Sequence, residues 1–336
     1  MKKLPVRLSP KPSLMFEYQK GIHIYDTKLW LDSPRSRELC FISHAHLDHA
    51  RRHKTIIATC ATSLLSQHRV GKSKVIELDY DRWFSLDATR LKLLPAGHIL
   101  GSSQILIEKD GQRLLYSGDF RLRSALTVEP FQTEHADILI MESTYGRPHY
   151  RFPSRQLVVN QLLQAVSSAL SNDLQPVILA YALGKSQEMV RILTQAQFRV
   201  AVTRDIYQLC QLYNQLGMKL GRYALFDGHL APGSVLVASP YHRKSRLLRS
   251  LSRKLLFYVS GWAIDSSAKH LFRVDEAFPI SDHADYDELL EYITTVKPQI
   301  VYLTHGFPEF IHSLREKGIK AHPLVPPVQT ELFQEL

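Results

Sequence analysis

The run His44-Ala45-His46-Leu47-Asp48-His49 places four metal-ligating side chains within six residues. It follows the apolar, strand-prone stretch 39–42 and opens into the basic segment 50–53, which predicts a loop just past the end of a buried strand. Side chains of an extended chain alternate between faces, so His44 and His46 share one face, while Asp48 and His49, after a turn, address a second point. One ion cannot use all four. The pattern fits two divalent cations about 3.5 to 4 Å apart, as in two-metal hydrolases.

A strand followed by a ligand-type residue recurs along the chain. Asp32 ends the hairpin-like stretch 21–32, and His98 lies in a glycine-containing turn after the strand-like run 90–94. Asp119 follows the second arm of a hairpin whose Asp110-Gly111 turn is the strongest short hairpin signal in the sequence. Glu142 follows the apolar run 137–141, His283 a strand beginning near Ala277, and His305 the strand 300–303. A helix is predicted over 62–68 and a strand over 75–78.

From 155 onward the texture changes to helix 155–170, strand 176–180, helix 186–194, strand 199–202, helix 206–216 and strands 234–238 and 255–259. This is the rhythm of a parallel sheet with helices packed on it, so the fold class is α/β. The earlier pattern then returns, which predicts a second domain, 153–264, inserted into a first made of 1–152 and 265–336. Gly184-Lys185-Ser186 resembles the tail of a phosphate loop, but the upstream glycine is missing and a nucleotide-triphosphate site is rejected. Asp285 and Glu288 have capping-box spacing for a helix running to Val296.

Collected, the strand-end residues assign His44, His46 and His98 to one cation and Asp48, His49 and His305 to another, with Asp119 as the bridge. Nitrogen and oxygen ligation without cysteine suits two Zn²⁺ ions, and Mn²⁺ also accepts such a shell. Two such ions lower the pKa of a shared water to about 7 and clamp the oxygens of a phosphodiester. The leaving group still needs a proton, which His283, held by Glu142, is placed to give as general acid. Asp32 is expected to orient the ligand loop through hydrogen bonds.

With 336 residues, 45% of them hydrophobic and 22% charged, the composition is that of a globular protein with an ample core. A net charge of +10 favours an acidic partner such as nucleic acid. Three scattered cysteines argue against a disulfide framework and for a reducing cytoplasm. The basic segment 1–12 lacks the apolar core of a signal peptide, and no run reaches the length of a membrane span, so no membrane partner is expected. On a helix, Arg243, Arg246, Arg249 and Arg253 form one positive stripe able to track a phosphate backbone. Tyr145, Arg147, Tyr150 and Arg151 offer aromatic and basic side chains for an unpaired strand, and both groups are expected to line the substrate's path.

His44 to His49, His98, Asp119, Glu142, His283 and His305, in this order around an inserted segment, resemble the metallo-β-lactamase superfamily and specifically its β-CASP nucleases. The first motif marks the superfamily, and the last three residues single out the nucleic-acid branch. The runs PAGHILGSSQ (95–104), YSGDF (116–120), ESTYGRP (142–148), SGWA (260–263) and SDHADY (281–286) are most similar to bacterial ligase-associated DNA exonucleases, also labelled mRNA 3′-end processing factors. The resemblance implies an αββα sandwich with the metals at one edge, a β-CASP cap, and nucleic acid in the cleft between them. It also implies that the segment 182–185, with Lys185, faces the cleft, and that a DNA ligase or helicase is a partner.

The implied activity is a zinc-dependent nuclease, an exonuclease acting on DNA in repair or on RNA in processing. The histidine at His305, usual in relatives that act on RNA, leans one way; the compact-family likeness leans toward DNA. Two other functions compete: hydrolysis of a small lactone or thioester, and a catalytically silent nucleic-acid-binding scaffold. Against the first stand the inserted domain, the Glu142 and His283 pair and the basic balance; against the second, every expected ligand position is filled.

Overall fold

The computed structural model describes residues 15–324, so the segment 1–12 lies outside the described residues. Six short strands, β1 (Phe16–Tyr18), β2 (Ile22–Ile24), β3 (Leu29–Leu31), β4 (Leu39–Phe41), β5 (Thr55–Ala58) and β6 (Lys74–Glu77), form a first sheet in chain order. Helix α1 (Cys60–Val70) joins β5 to β6, with Thr59 as its N-cap. The chain then builds most of a second sheet from β7 (Phe84–Leu86), β8 (Thr89–Pro95), β9 (Ser103–Lys109), β10 (Gln112–Tyr116) and β11 (Ile138–Ser143). The expected hairpin is β9–β10, and Asp110 and Gly111 at its tip both have positive φ, as a tight two-residue turn requires.

The inserted unit follows: α2 (Arg155–Ser171), β12 (Gln175–Leu179), α3 (Lys185–Gln195), β13 (Arg199–Val202), α4 (Arg204–Gln215), β14 (Tyr223–Leu225), β15 (Ser234–Ala238), α5 (Arg246–Arg249), β16 (Lys254–Val259), α6 (Ala268–Phe272) and β17 (Glu276–Phe278). Its sheet is parallel throughout, in the order β14-β13-β15-β12-β16-β17. The pairing of β17 with β16 carries this unit to Phe278, beyond the position 264 expected from sequence. The strand near Ala277 belongs to the inserted sheet and not to the returning core. After it, α7 (Tyr286–Val296), β18 (Ile300–Gly306), α8 (Pro308–Glu316) and β19 (Ala321–Pro323) complete the second sheet, in the order β19-β18-β11-β10-β9-β8-β7.

Period-two alternation decides the layers. Leu91, Leu93, Ile105, Ile107, Leu114, Ile138 and Ile140 face Ile22, Ile24, Leu29, Leu31, Phe41 and Ile57 of the first sheet. Their neighbours Leu94, Leu106, Leu115, Leu139 and Met141 point the other way, onto Leu289, Tyr292 and Val296 of α7 and Phe310 and Leu314 of α8. Helix α1 lies against β5 and β6. The result is the expected αββα sandwich. In the inserted unit, Ile178, Val200, Val202, Val235 and Val237 pack under α2, α3 and α4, and Val177, Leu179, Ala201 and Leu236 face the opposite layer.

The segment 240–254 departs from expectation. Residues Pro240–Lys244 form a 3₁₀ turn, Ser245 caps the single turn of α5, and β16 begins at Lys254. Arg243 donates to the Phe272 carbonyl and Arg253 to that of Asn172. These arginines therefore do not form one helical stripe.

Candidate metal centre

The ligand-type residues gather at one edge of the sandwich because each sits at the end of a strand that the core fixes. His44, His46, Asp48 and His49 lie in the turn after β4, His98 follows β8, Asp119 follows β10, Glu142 sits in β11 and His305 in β18. Gly118, at φ +55°, brings this turn so close that an added Cβ would lie 2.6 Å from Ser43 Cβ.

Three imidazole nitrogens meet at the centre. His46 Nδ1 lies 3.2 Å from His44 Nε2 and 3.1 Å from His98 Nε2, and Asp119 Oδ2 lies 3.5 Å from His44 Nε2 and 3.9 Å from His98 Nε2. Ligands about 2.0 Å from a tetrahedral Zn²⁺ are separated by roughly 3.3 Å, so these distances match the edges of such a shell.

The outer nitrogens of these rings settle where their protons are. His98 Nδ1 donates to the Asp282 carbonyl at 2.9 Å, and His46 Nε2 to the Leu183 carbonyl at 3.2 Å. Ser43 Oγ gives its proton to Asp32 Oδ2 at 2.5 Å and so accepts from His44 Nδ1 at 3.0 Å. Every inward nitrogen therefore carries a lone pair, and lone pairs this close repel unless a cation lies among them. Burial pushes His44 and His46 below the usual histidine range and His98 down to about 3, which keeps all three neutral.

A second group adjoins the first through Asp119. His49 Nε2 lies 3.4 Å from Asp119 Oδ2 and 3.7 Å from Asp48 Oδ2, and its Nδ1 donates to Asp32 at 2.7 Å. Burial opposes a charge on His49, but Asp119, Asp48 and Asp32 outweigh it and raise its pKa. Asp119 Oδ1 is buried without a hydrogen-bond partner, the state of an atom that awaits a cation. His305 Nε2 approaches that oxygen to 4.0 Å and contacts Thr144 Oγ1 at 3.1 Å, and it stands outside the Asp48–His49–Asp119 group. Asp32 holds the loop as expected, accepting also from the Ser43 backbone at 2.8 Å and the Tyr116 hydroxyl at 2.8 Å.

His283 Nδ1 sits 3.0 Å from both oxygens of Glu142. Burial opposes its protonation, but the Glu142 carboxylate outweighs it and pushes the pKa up to about 10. Glu142 is itself held by the Phe120 N–H at 2.8 Å and the Thr144 hydroxyl.

The cleft in front of this centre has a volume of about 660 Å³. Asp48, His49, Asp119, His283 and His305 border it from the sandwich, and Tyr181, Lys185, Pro240, Ser260 and Trp262 from the inserted unit. Lys185 reaches it as expected, but its Nζ is bound to Asp282 Oδ1 at 2.8 Å. Arg147, Arg151, Arg243, Arg246 and Arg249 do not border it. Arg147 pairs with Glu309 and stacks on Phe307, Arg151 pairs with Asp287, and Tyr150 is buried among aromatic rings, so of that group Tyr145 alone reaches the cavity. The resemblance marks the segments 182–185 and 281–286, but not the holding role of the Leu183 and Asp282 carbonyls, because a carbonyl has no residue-type signature.

Residues 276–326 match the family model described as a Zn-dependent metallo-hydrolase RNA specificity domain. Over 320 residues the chain is 36% identical to a probable DNA ligase of Opitutus terrae, covering 94% of this chain and 32% of that protein. It thus spans about a third of that relative's length. It is 29% identical to an RNase J-like protein of Methanocaldococcus jannaschii, covering 86% of this chain and 88% of the relative. Identity to the DNA cross-link repair protein SNM1 of Arabidopsis thaliana is 22%, over 79% of this chain and 60% of that one. Joined to a strand-end histidine and aspartate cluster on an αββα sandwich with an inserted parallel-sheet unit, these likenesses place the chain in the metallo-β-lactamase superfamily, among its β-CASP nucleases.

Proposed function

We propose that this chain is a two-metal phosphodiesterase that removes nucleotides from an end of DNA or RNA. His44, His46, His98 and Asp119 would hold one Zn²⁺, and Asp48, His49 and Asp119, with His305 drawn in, the other. When bound, such ions supply hydroxide at neutral pH and offset the charge that develops on the phosphoryl oxygens. The chain's own residues supply the rest. His283 carries a proton on Nε2 toward the cleft while Glu142 fixes Nδ1, and it gives that proton to the leaving oxygen. Asp32 keeps His49 in the tautomer whose Nε2 lone pair faces inward.

The observation that carries this reading is the convergence of inward lone pairs from His44, His46 and His98, with His46 Nδ1 within hydrogen-bond distance of both others, beside the unpartnered Asp119 Oδ1. A polyanion as substrate is supported by a wide cleft between two units and by the excess of basic residues. The 94% coverage of this chain by a ligase relative supports work beside a DNA ligase, and the RNA-named relatives support the RNA alternative.

The test is metal content by plasma emission, followed by digestion of 5′- and 3′-labelled single-stranded DNA and RNA side by side. Two equivalents of zinc or manganese and shortening from one labelled end are expected. Full-length oligonucleotides after incubation with the metal-loaded protein would overturn the reading.

A further inference from the structure

We propose that Arg69 and Tyr181 hold the nucleotide next to the scissile phosphate, Arg69 by its phosphate and Tyr181 by its base. This rests on the nuclease reading above. Arg69 stands in the last turn of α1, is half-buried, and borders the cleft. Its Nη1 donates at 2.8 Å to the carbonyl of Ala45, the residue between His44 and His46. That bond uses one of five guanidinium donors and fixes the plane of the group at the rim of the metal loop.

Tyr181 comes from the other side of the cleft, just after β12, and its ring meets that of His46 edge-on at 5.6 Å. The two side chains therefore flank Ala45-His46 from the sandwich and from the inserted unit. Leu47 follows in the same loop, 43% exposed, and Tyr181 is 37% exposed, so an apolar surface borders the cavity beside a cation. A stacking ring, an apolar platform and a guanidinium at one rim are the components of a site for an unpaired nucleotide. Other basic groups expected near the cleft are neutralised by carboxylates: Lys185 by Asp282, Arg147 by Glu309, Arg151 by Asp287. Arg69 bonds instead to a neutral carbonyl and makes no ion pair among the described residues, the Asp48 carboxylate attracting it only from beyond contact distance.

The test compares wild type with Arg69→Gln, Arg69→Lys and Tyr181→Leu, each metal-loaded, on a labelled single-stranded oligonucleotide and on bis(p-nitrophenyl) phosphate, which has no neighbouring nucleotide. For Arg69→Gln, kcat/KM on the oligonucleotide is expected to fall at least tenfold further than on the small diester, mainly through KM, with partial recovery in Arg69→Lys. Fluorescence anisotropy in rising salt should give a binding slope shallower by about 0.7, one phosphate contact on a single strand. An abasic residue beside the scissile bond should erase the difference between wild type and Tyr181→Leu. Equal losses on both substrates, an unchanged salt slope, or a Tyr181→Leu defect that persists on the abasic strand would overturn the assignment. Wild type that binds metal yet cleaves neither substrate would instead remove the nuclease reading beneath it.

Discussion

In the proposed mechanism, His283 and Glu142 separate metal binding from proton delivery. The imidazole shares Nδ1 with both carboxylate oxygens at 3.0 Å and belongs to neither of the two groups assigned to the cations. His283→Ala should therefore keep its zinc while cleavage slows by roughly 10²- to 10⁴-fold, the usual worth of a positioned acid. His46→Ala and Asp48→Ala should lose both metal and cleavage, read by plasma emission and end-labelled digestion. Glu142→Gln tests the sign of the coupling. The carboxylate raises the His283 pKa, so the proton is present at neutral pH and leaves only as pH rises through the folded value. Without that charge, the alkaline limb of the pH–rate profile should move to lower pH. Full activity in His283→Ala would take the histidine out of the acid role.

Elements were legible from sequence where their signals are local. The Asp110-Gly111 hairpin and the box of Asp285 and Glu288 on α7 both formed as read, because a turn and a cap are decided by neighbours a few residues apart. The centre itself was legible because each of its residues follows an apolar run, and buried strands must end at a sheet edge. Strand β17 was misplaced for the opposite reason: nothing in Glu276–Phe278 says which sheet it joins. The supposed stripe of Arg243, Arg246 and Arg249 failed because basic spacing was read as helix where Ser245 starts a new turn. Asp285→Ala, which removes the side-chain acceptor for the Glu288 N–H at 2.9 Å, should cost about 0.5 to 2 kcal/mol, measured by urea unfolding. Gly118→Ala should lower zinc occupancy, since its Cβ would press on Ser43 beside His44.

At the scale of the molecule, the inserted unit and the sandwich are tied by a buried ion pair, Lys185 with Asp282, each less than a tenth exposed. Burial opposes the Asp282 charge, but Lys185 outweighs it and holds the carboxyl well below the usual range. A depressed folded pKa gives stability that is full above the ordinary carboxyl range, about pH 4, and is lost as pH falls below it. Lys185→Met takes the ion-pair partner from a buried carboxylate, leaving it only the nearby His283 imidazolium, and should destabilise by about 3 kcal/mol at neutral pH. Thermal melts from pH 3 to 7 should show the gap between variant and wild type closing toward the acid end.

The carbonyls of Leu183, in the inserted unit, and of Asp282, in the segment that leads back from it to the sandwich, fasten two of the three clustered imidazoles. Without those acceptors the His46 and His98 rings would be free to turn, and the set of inward nitrogens would come apart. The order of the centre and the seating of the inserted unit thus become one condition.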